Sequence, residues 1–186
     1  SRLLAELGHE VSDIDSPMPH EAVPAFETVW AVSSVGAPVD PARESELRPL
    51  TRHLRERGQA VSGPQYAQAM GALGAFSRRA IAATAHLHAV LTPTLAQLPQ
   101  PIGWFDHDGD PAADFERQKR FTPFTAVVNA TGQPAISLPL YQSVEGLPIG
   151  VMLVGRPADE ATLLRLGAQL EAALPWRDRH PPIWTG

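Results

Sequence analysis

Between Phe121 and Glu160 the chain reads FTPFTAVVNATGQPAISLPLYQSVEGLPIGVMLVGRPADE, and this succession of elements leaves few folds open. Phe121–Ala130 has the composition of a helix, and Gly132 stands where such a helix stops. Ala135-Ile-Ser-Leu138 then reads as a strand held between Pro134 and Pro139. In Ile149-Gly-Val-Met-Leu-Val154 the apolar residues do not alternate with polar ones, so both faces must bury, as in an interior strand. Asp159 is placed to cap a last helix whose Leu163, Leu166, Leu170 and Leu174 fall on one inward side. Strands separated by helices imply an α/β layer architecture.

Upstream the same rules apply. Ser1–Gly8 carries leucines at 3, 4 and 7 and a stop glycine, which reads as the tail of a longer helix feeding a strand over His9–Ile14. A helix is expected over residues 20–35, with Val23, Phe26, Val29 and Trp30 on one face. A proline-bearing link leads to a charged helix over Glu46–Arg57, ended by Gly58. Ser62-Gly-Pro-Gln65 is a capping-box pattern with proline in the tolerated first turn. Behind it Tyr66, Met70, Leu73, Phe76, Ala80 and Leu87 recur at helical spacing and should bury, with Arg78 and Arg79 at the edge. Ala89–Leu91 is a short strand, and residues 93–114, rich in proline and glycine, form the longest irregular loop. The 186 residues suffice for one core and are short for two, so a single domain over 1–186 is expected.

Several functions are disfavoured. A net charge of −5 is wrong for a nucleic-acid or anionic-membrane surface. The chain has no cysteine, hence no disulfide, thiolate metal site or cysteine nucleophile. No run approaches the ~18 apolar residues of a membrane span. No basic-then-apolar leader opens the given sequence, so a cytoplasmic protein is the simplest expectation. A G-x-S-x-G elbow is absent, and none of the seven histidines accompanies a serine in a strand-to-helix turn. Asp106-His-Asp-Gly-Asp110 starts like a calcium loop, but its glycine comes too early and Arg117 stands where a bidentate glutamate is needed. It reads as a solvated acidic loop, and His86 and His88 as structural residues. There is no G-x-G-x-x-G or Gly-Lys-Ser/Thr phosphate loop, and Arg117–Arg120 (RQKR) reads as a solvated charge run. No cofactor and no metal are called for.

Taken jointly, three patterns carry a resemblance. They are Asn-x-x-Gly-Gln-Pro-Ala-Ile-Ser-Leu-Pro from Asn129, Gly-Leu-Pro-Ile-Gly ending at Gly150, and the leucine-rich helix ending in LEAALPW. With ELGHEV near the start and LTPTLAQLPQPIG after the long helix, they resemble the C-terminal portion of the amidase signature family of carbon–nitrogen hydrolases. The resemblance implies that residues 1–186 are a single partial domain with the amidase signature fold, a mixed β-sheet flanked by helices, and it implies hydrolysis of a carboxylic amide to an acid and an amine or ammonia. It implies a serine nucleophile, a second serine and a lysine that relays the proton, with backbone N–H groups of a Gly-Ser-rich loop holding the oxyanion.

The matching residues for that chemistry are not found here. There is no Gly-Gly pair, the only Ser-Ser is Ser33-Ser34 within an amphipathic segment, and Lys119 is the only lysine among fifteen basic residues. No catalytic residue is therefore assigned, and the chain is expected to be inactive alone. By resemblance it completes the sheet and walls the substrate pocket, with Thr94, Phe121, Thr125 and Asn129 as candidate pocket-side residues. Glutamine amidotransferase A subunits carry an aspartate where this chain has Thr122, so a general amidase for small or linear amides, similar to 6-aminohexanoate cyclic dimer hydrolases, is expected instead. The implied partners are a small-molecule amide substrate and a missing N-terminal portion or a second copy, with no nucleic acid and no membrane. A truncated non-catalytic α/β binding module or relic is the alternative.

Overall fold

The computed structural model describes residues 1–16, 22–106, 109–181 and 183–184. In chain order its elements are α1 (Arg2–Glu6), α2 (Val23–Gly36), a 3₁₀ turn (Pro41–Glu46), α3 (Pro49–Gln59), α4 (Gly63–Thr84), β1 (Ala89–Pro93), α5 (Pro111–Phe121), α6 (Thr125–Thr131), β2 (Ala135–Gln142), β3 (Pro148–Gly155) and α7 (Glu160–Ala173). They fall into two compact units. One, the sheet unit, comprises Ser1–Asp15, Thr84–Thr94 and Gly132–Gly186; the other, the helical unit, comprises Ser16–Ala83 and Leu95–Thr131.

The sheet unit confirms the reading of the apolar run. The strand order is β1-β3-β2, both pairings are antiparallel, and β3 is the central strand. Its Met152, Leu153 and Val154 are all buried, as a strand covered on both faces requires. Proline sets the limits of the ladder because it has no N–H to donate. Pro148 starts β3, Pro93 ends β1, and the register shift in β2 lies between Leu138 and Tyr141, across Pro139. The β2–β3 turn is closed by Ser143 N–H donating to Leu147 O at 2.8 Å, and Gly146 supplies the positive φ of 82° it needs.

One layer of core lies between the sheet and the helices α1 and α7. Leu4, Leu138, Leu140, Leu153, Leu163 and Leu170 are buried in it, with Leu166 and Leu174 packed against them. The inward leucines of α7 are thus those the spacing picks out. Asp159 stands at the N-cap, but its Oδ1 accepts the Thr162 hydroxyl at 2.8 Å and no backbone amide. The expected strand over His9–Ile14 does not form, and the segment is irregular. Val11 and Ile14 lie three residues apart and so cannot share one face of a strand; both stay exposed, while His9 is tied to Gln169 by a 2.7 Å bond.

In the helical unit the capping box forms as read. Ser62 N–H donates to Gln65 Oε1 at 2.8 Å, and Gln65 N–H donates to Ser62 Oγ at 3.4 Å. Leu73, Phe76 and Ala80 bury against Ala22 and the partly buried Phe26, Val29 and Val127, but Met70 remains 45% exposed. The helix expected over 20–35 is present from Val23; His20 and Glu21 lie outside the described residues. The charged helix starts at Pro49 and runs to Gln59, preceded by the 3₁₀ turn that takes up Glu46.

Two boundaries differ from expectation for local reasons. The irregular loop ends at Asp110, not 114, because Asp110 Oδ1 accepts the N–H groups of Ala112 and Ala113 at 3.1 Å and Pro111 takes the first helical position. The single helix expected over Phe121–Ala130 is instead the end of α5 and the separate α6. Pro123 pushes Thr122 out of helical conformation, to φ −120° and ψ 49°.

Candidate functional site

A cavity of about 480 Å³ opens within the helical unit. One side comes from α2, with Phe26, Val29, Trp30 and Ser33, and another from α4, with Met70, Leu73 and Ser77. Thr122 and the α6 residues Thr125 and Asn129 close it. Volume and lining match the usual small-molecule site, mostly apolar with a few polar groups. Trp30 is held edge-on by Phe26 at 5.7 Å and by Phe115 at 5.1 Å between ring centroids, so this wall is braced by the aromatic core behind it.

The hydroxyls at the cavity are already engaged. Ser33 Oγ donates to Val29 O at 2.8 Å, Thr122 Oγ1 to Gln118 O at 3.0 Å, and Thr125 Oγ1 to Thr122 O at 3.3 Å. Ser77 Oγ lies 2.7 Å from Ala130 O and 2.8 Å from Leu73 O. Asn129 is different: among the described residues its side-chain amide has no hydrogen-bond partner, and the residue is exposed.

Of the four residues singled out from the sequence, Thr125 and Asn129 therefore line one cavity. Phe121 is placed in an aromatic cluster with Phe105 and Trp104, at centroid distances of 5.1 and 6.2 Å. Thr94 belongs to the sheet unit, where its Oγ1 lies 2.6 Å from Ser137 Oγ. That hydroxyl pair crosses directly over Gly150. A Cβ there would stand 2.7 Å from Thr94 Oγ1 and 2.9 Å from Ser137 Oγ, which explains a glycine in mid-strand.

The residues with nucleophile or base chemistry have other partners. Ser34 Oγ donates to Ala31 O at 2.6 Å, and both serines of the pair lie within α2. Lys119 Nζ contacts Glu27 Oε1 and Glu116 Oε1, each at 2.5 Å, and stands 5.2 Å from the Phe115 ring centroid. Arg117 Nη1 donates to Trp104 O at 2.9 Å. The run expected to be a solvated face is thus partly engaged within the unit. Asp106 pairs with Arg48 at 2.6 Å and Asp110 caps α5, while His107 and Asp108 of the acidic loop lie outside the described residues. His86 and His88 are exposed.

Burial pulls the Lys119 ammonium down, but the carboxylates of Glu116 and Glu27 outweigh it and leave its pKa raised above the ordinary 10.5. A raised folded value means a stabilisation present in full below 10.5 and lost as pH rises through the folded value. Lys119→Met should remove this alkaline component. The drop in Tm between about pH 9 and about pH 12 is then expected to be smaller in the variant than in the parent, as read by circular dichroism.

Helical spacing in the sequence places Trp30 and Met70 in the core and gives Ser33 no role. The structure instead leaves Trp30 37% and Met70 45% exposed at the cavity, which residue type does not reveal. Among the described residues no helix is long and apolar enough to cross a membrane.

Comparison with known proteins adds the relationship. The family model described as Amidase matches residues 1–164. "Putative amidase AmiC" of Mycobacterium tuberculosis strain H37Rv is 35% identical over 97% of the chain, which spans 39% of that relative. The 6-aminohexanoate-cyclic-dimer hydrolase of a Pseudomonas species is 31% identical over 97% of the chain and 40% of its own length. A solved structure of 6-aminohexanoate cyclic dimer hydrolase superposes with a TM-score of 0.83 at 28% identity, covering 97% of this chain and 41% of that one. The chain thus spans about two-fifths of the length of the curated relatives it matches.

Proposed function

The chain belongs to the amidase family, and from that premise we propose that it is the C-terminal portion of a hydrolase that converts a carboxylic amide and water to an acid and an amine or ammonia. Its contribution is the sheet scaffold and one wall of the substrate pocket, with Thr125 and Asn129 on the pocket side. The observation that carries this reading is the match itself. Almost the whole chain aligns with amidases, yet it accounts for 39% of such a relative.

The nucleophile and its base come from residues outside these 186. Ser33 and Ser34 donate their hydroxyl protons to helix carbonyls, and the single lysine is engaged by two glutamates. A serine needs a base within hydrogen-bond reach to attack an amide carbonyl. The partner of this portion is accordingly the rest of the amidase polypeptide, and the substrate a small or linear amide; its hydrolase relative is named for a small cyclic one, the 6-aminohexanoate cyclic dimer.

The 186-residue chain is expected to release no ammonia or amine from simple aryl and alkyl amides above the buffer rate. Release that persists in Ser33→Ala and in Lys119→Ala would refute the assignment of the chemistry to the remaining portion. An in-frame segment upstream of Ser1 that lacks both a Gly-rich Ser-Ser loop and an earlier lysine would do the same.

A further inference from the structure

Four charged side chains that the proposed chemistry leaves unused meet around one buried ring of the helical unit. Lys119 Nζ of α5 donates to Glu27 Oε1 of α2 and pairs with Glu116 Oε1, each at 2.5 Å. Arg57 Nη2 of α3 donates to the other oxygen of the same carboxylate, Glu27 Oε2, at 3.3 Å. Both cations also stand over the Phe115 ring. The Lys119 nitrogen is 5.2 Å and the Arg57 guanidinium carbon 5.6 Å from its centroid, within the range at which a cation is drawn to an aromatic face. Phe115 is 1% exposed. Glu27 thus holds, one on each oxygen, the two cations that rest on this ring.

The ring in turn meets Trp30. Two aromatic rings touch the Trp30 indole edge-on, and they differ in what they can fix. Phe26 belongs to α2 and moves with it, so it cannot set where the indole stands against another helix. Phe115 comes from α5 and can. Glu27 lies three residues before Trp30, a neighbour on the same helix surface, so one turn of α2 carries both the ion-pair anchor and the indole. Trp30 is only partly covered at the cavity, which leaves its placement to the few contacts that cross between helices. We propose that Glu27 and Lys119 are positioning residues, which through Phe115 hold the Trp30 indole in place as a wall of the substrate pocket. Neither lines the cavity itself. That the wall serves a substrate rests on the amidase reading above; the link from the ion pairs to the indole does not.

The test uses the full polypeptide that carries this chain, labelled with 5-fluorotryptophan and followed by ¹⁹F NMR. Trp30→Phe identifies the Trp30 signal. Trp104→Phe identifies that of the control, Trp104, whose neighbours are Phe105, Phe121 and Arg117. Lys119→Met removes the ammonium and keeps an unbranched stem, and Glu27→Gln removes the charge and keeps the shape. Each is expected to move the Trp30 signal by more than its linewidth and to leave Trp104 in place. Lys119→Arg, which retains the charge, is expected to bring Trp30 back toward the parent position. In steady-state hydrolysis of benzamide, Lys119→Met is expected to raise KM several-fold with kcat close to the parent's, because the groups that break the C–N bond lie elsewhere.

A Trp30 signal unmoved in both charge variants overturns the proposal. So does equal movement of Trp104, the mark of a general loosening of the helical unit. If the two variants lose their fold, Glu116→Gln decides: its side chain is 54% exposed, and its loss takes one of the two carboxylates from Lys119. Trp30 staying in place in that variant then overturns the proposal as well. A shifted Trp30 with KM unchanged overturns the role in the pocket and leaves the amidase reading standing. A parent that cleaves no simple aryl or alkyl amide sinks the amidase reading, while a selective Trp30 shift still supports the link from the ion pairs to the indole.

Discussion

Replacing Gly58 by alanine is expected to lower the stability of the helical unit by about 3 kcal/mol, the upper end of ordinary overpacking. Gly58 sits in α3, buried, where the helix crosses α2 at Ala31, itself 2% exposed. A Cβ on Gly58 would overlap the carbonyl of Ala31 and stand 2.8 Å from Val35 Cγ2. A clash with a flexible side chain relaxes by a rotamer change, whereas this one is with backbone. Relief therefore means separating two helices that pack along their length, and the loss falls on every contact between them. Urea unfolding followed by far-ultraviolet circular dichroism checks it, since α2 to α6 hold most of the helix. An unchanged midpoint at constant m-value would show that the two helices are not held at this separation.

Arg55→Ala is expected to cost a similar amount, about 3 kcal/mol. The Arg55 side chain is 7% exposed, and its guanidinium joins three segments. Nε donates to Glu44 Oε1 at 2.7 Å in the 3₁₀ turn, and Nη1 donates to Ser34 O at 2.7 Å and Ala37 O at 3.1 Å at the end of α2. The last carbonyls of a helix have no partner within it, and here a buried cation satisfies them and meets the negative end of the helix dipole. Alanine would leave these carbonyls and a carboxylate only 35% exposed without their donor. Arg55→Lys should recover only part of the loss, because an ammonium cannot reproduce the planar fork that spans Glu44 and two carbonyls. The same unfolding experiment reads both variants. Gly58 and Arg55 share α3 and the same neighbour, so their effects are expected to add imperfectly in the double variant.

These two sites also mark the limit of what residue patterns convey. A glycine after a charged helix reads as a stop signal, and Gly58 lies instead inside α3 because α2 needs the room. An arginine in a charged run reads as solvated, and Arg55 is buried because its partners arrive from segments 11 to 21 residues away. Lys119 is the same case at longer range, met by Glu27 from 92 residues upstream. By contrast, the capping box and the inward leucines of α7 were legible, since each is decided within a few residues, whereas β2 runs on through Pro139 to Gln142 and is not ended by that proline. The missed start of α5 belongs with them: Asp110-Pro111 is a local cap signal obscured by the glycines and prolines before it.

For the candidate site the division is similar. Sequence by itself determined the family and the two-faced central strand, because motif order and short-range periodicity are written along the chain, and resemblance supplied Thr94, Phe121, Thr125 and Asn129 as pocket candidates. Only the tertiary structure decided that Trp30 and Met70 join Thr125 and Asn129 around one cavity, that the Asn129 amide has no partner among the described residues, and that Thr94 pairs with Ser137 over Gly150. Each of these depends on which distant segments meet and at what separation. That is a property of packing, where a few tenths of an ångström determine whether a glycine, a hydroxyl pair or an open space fits.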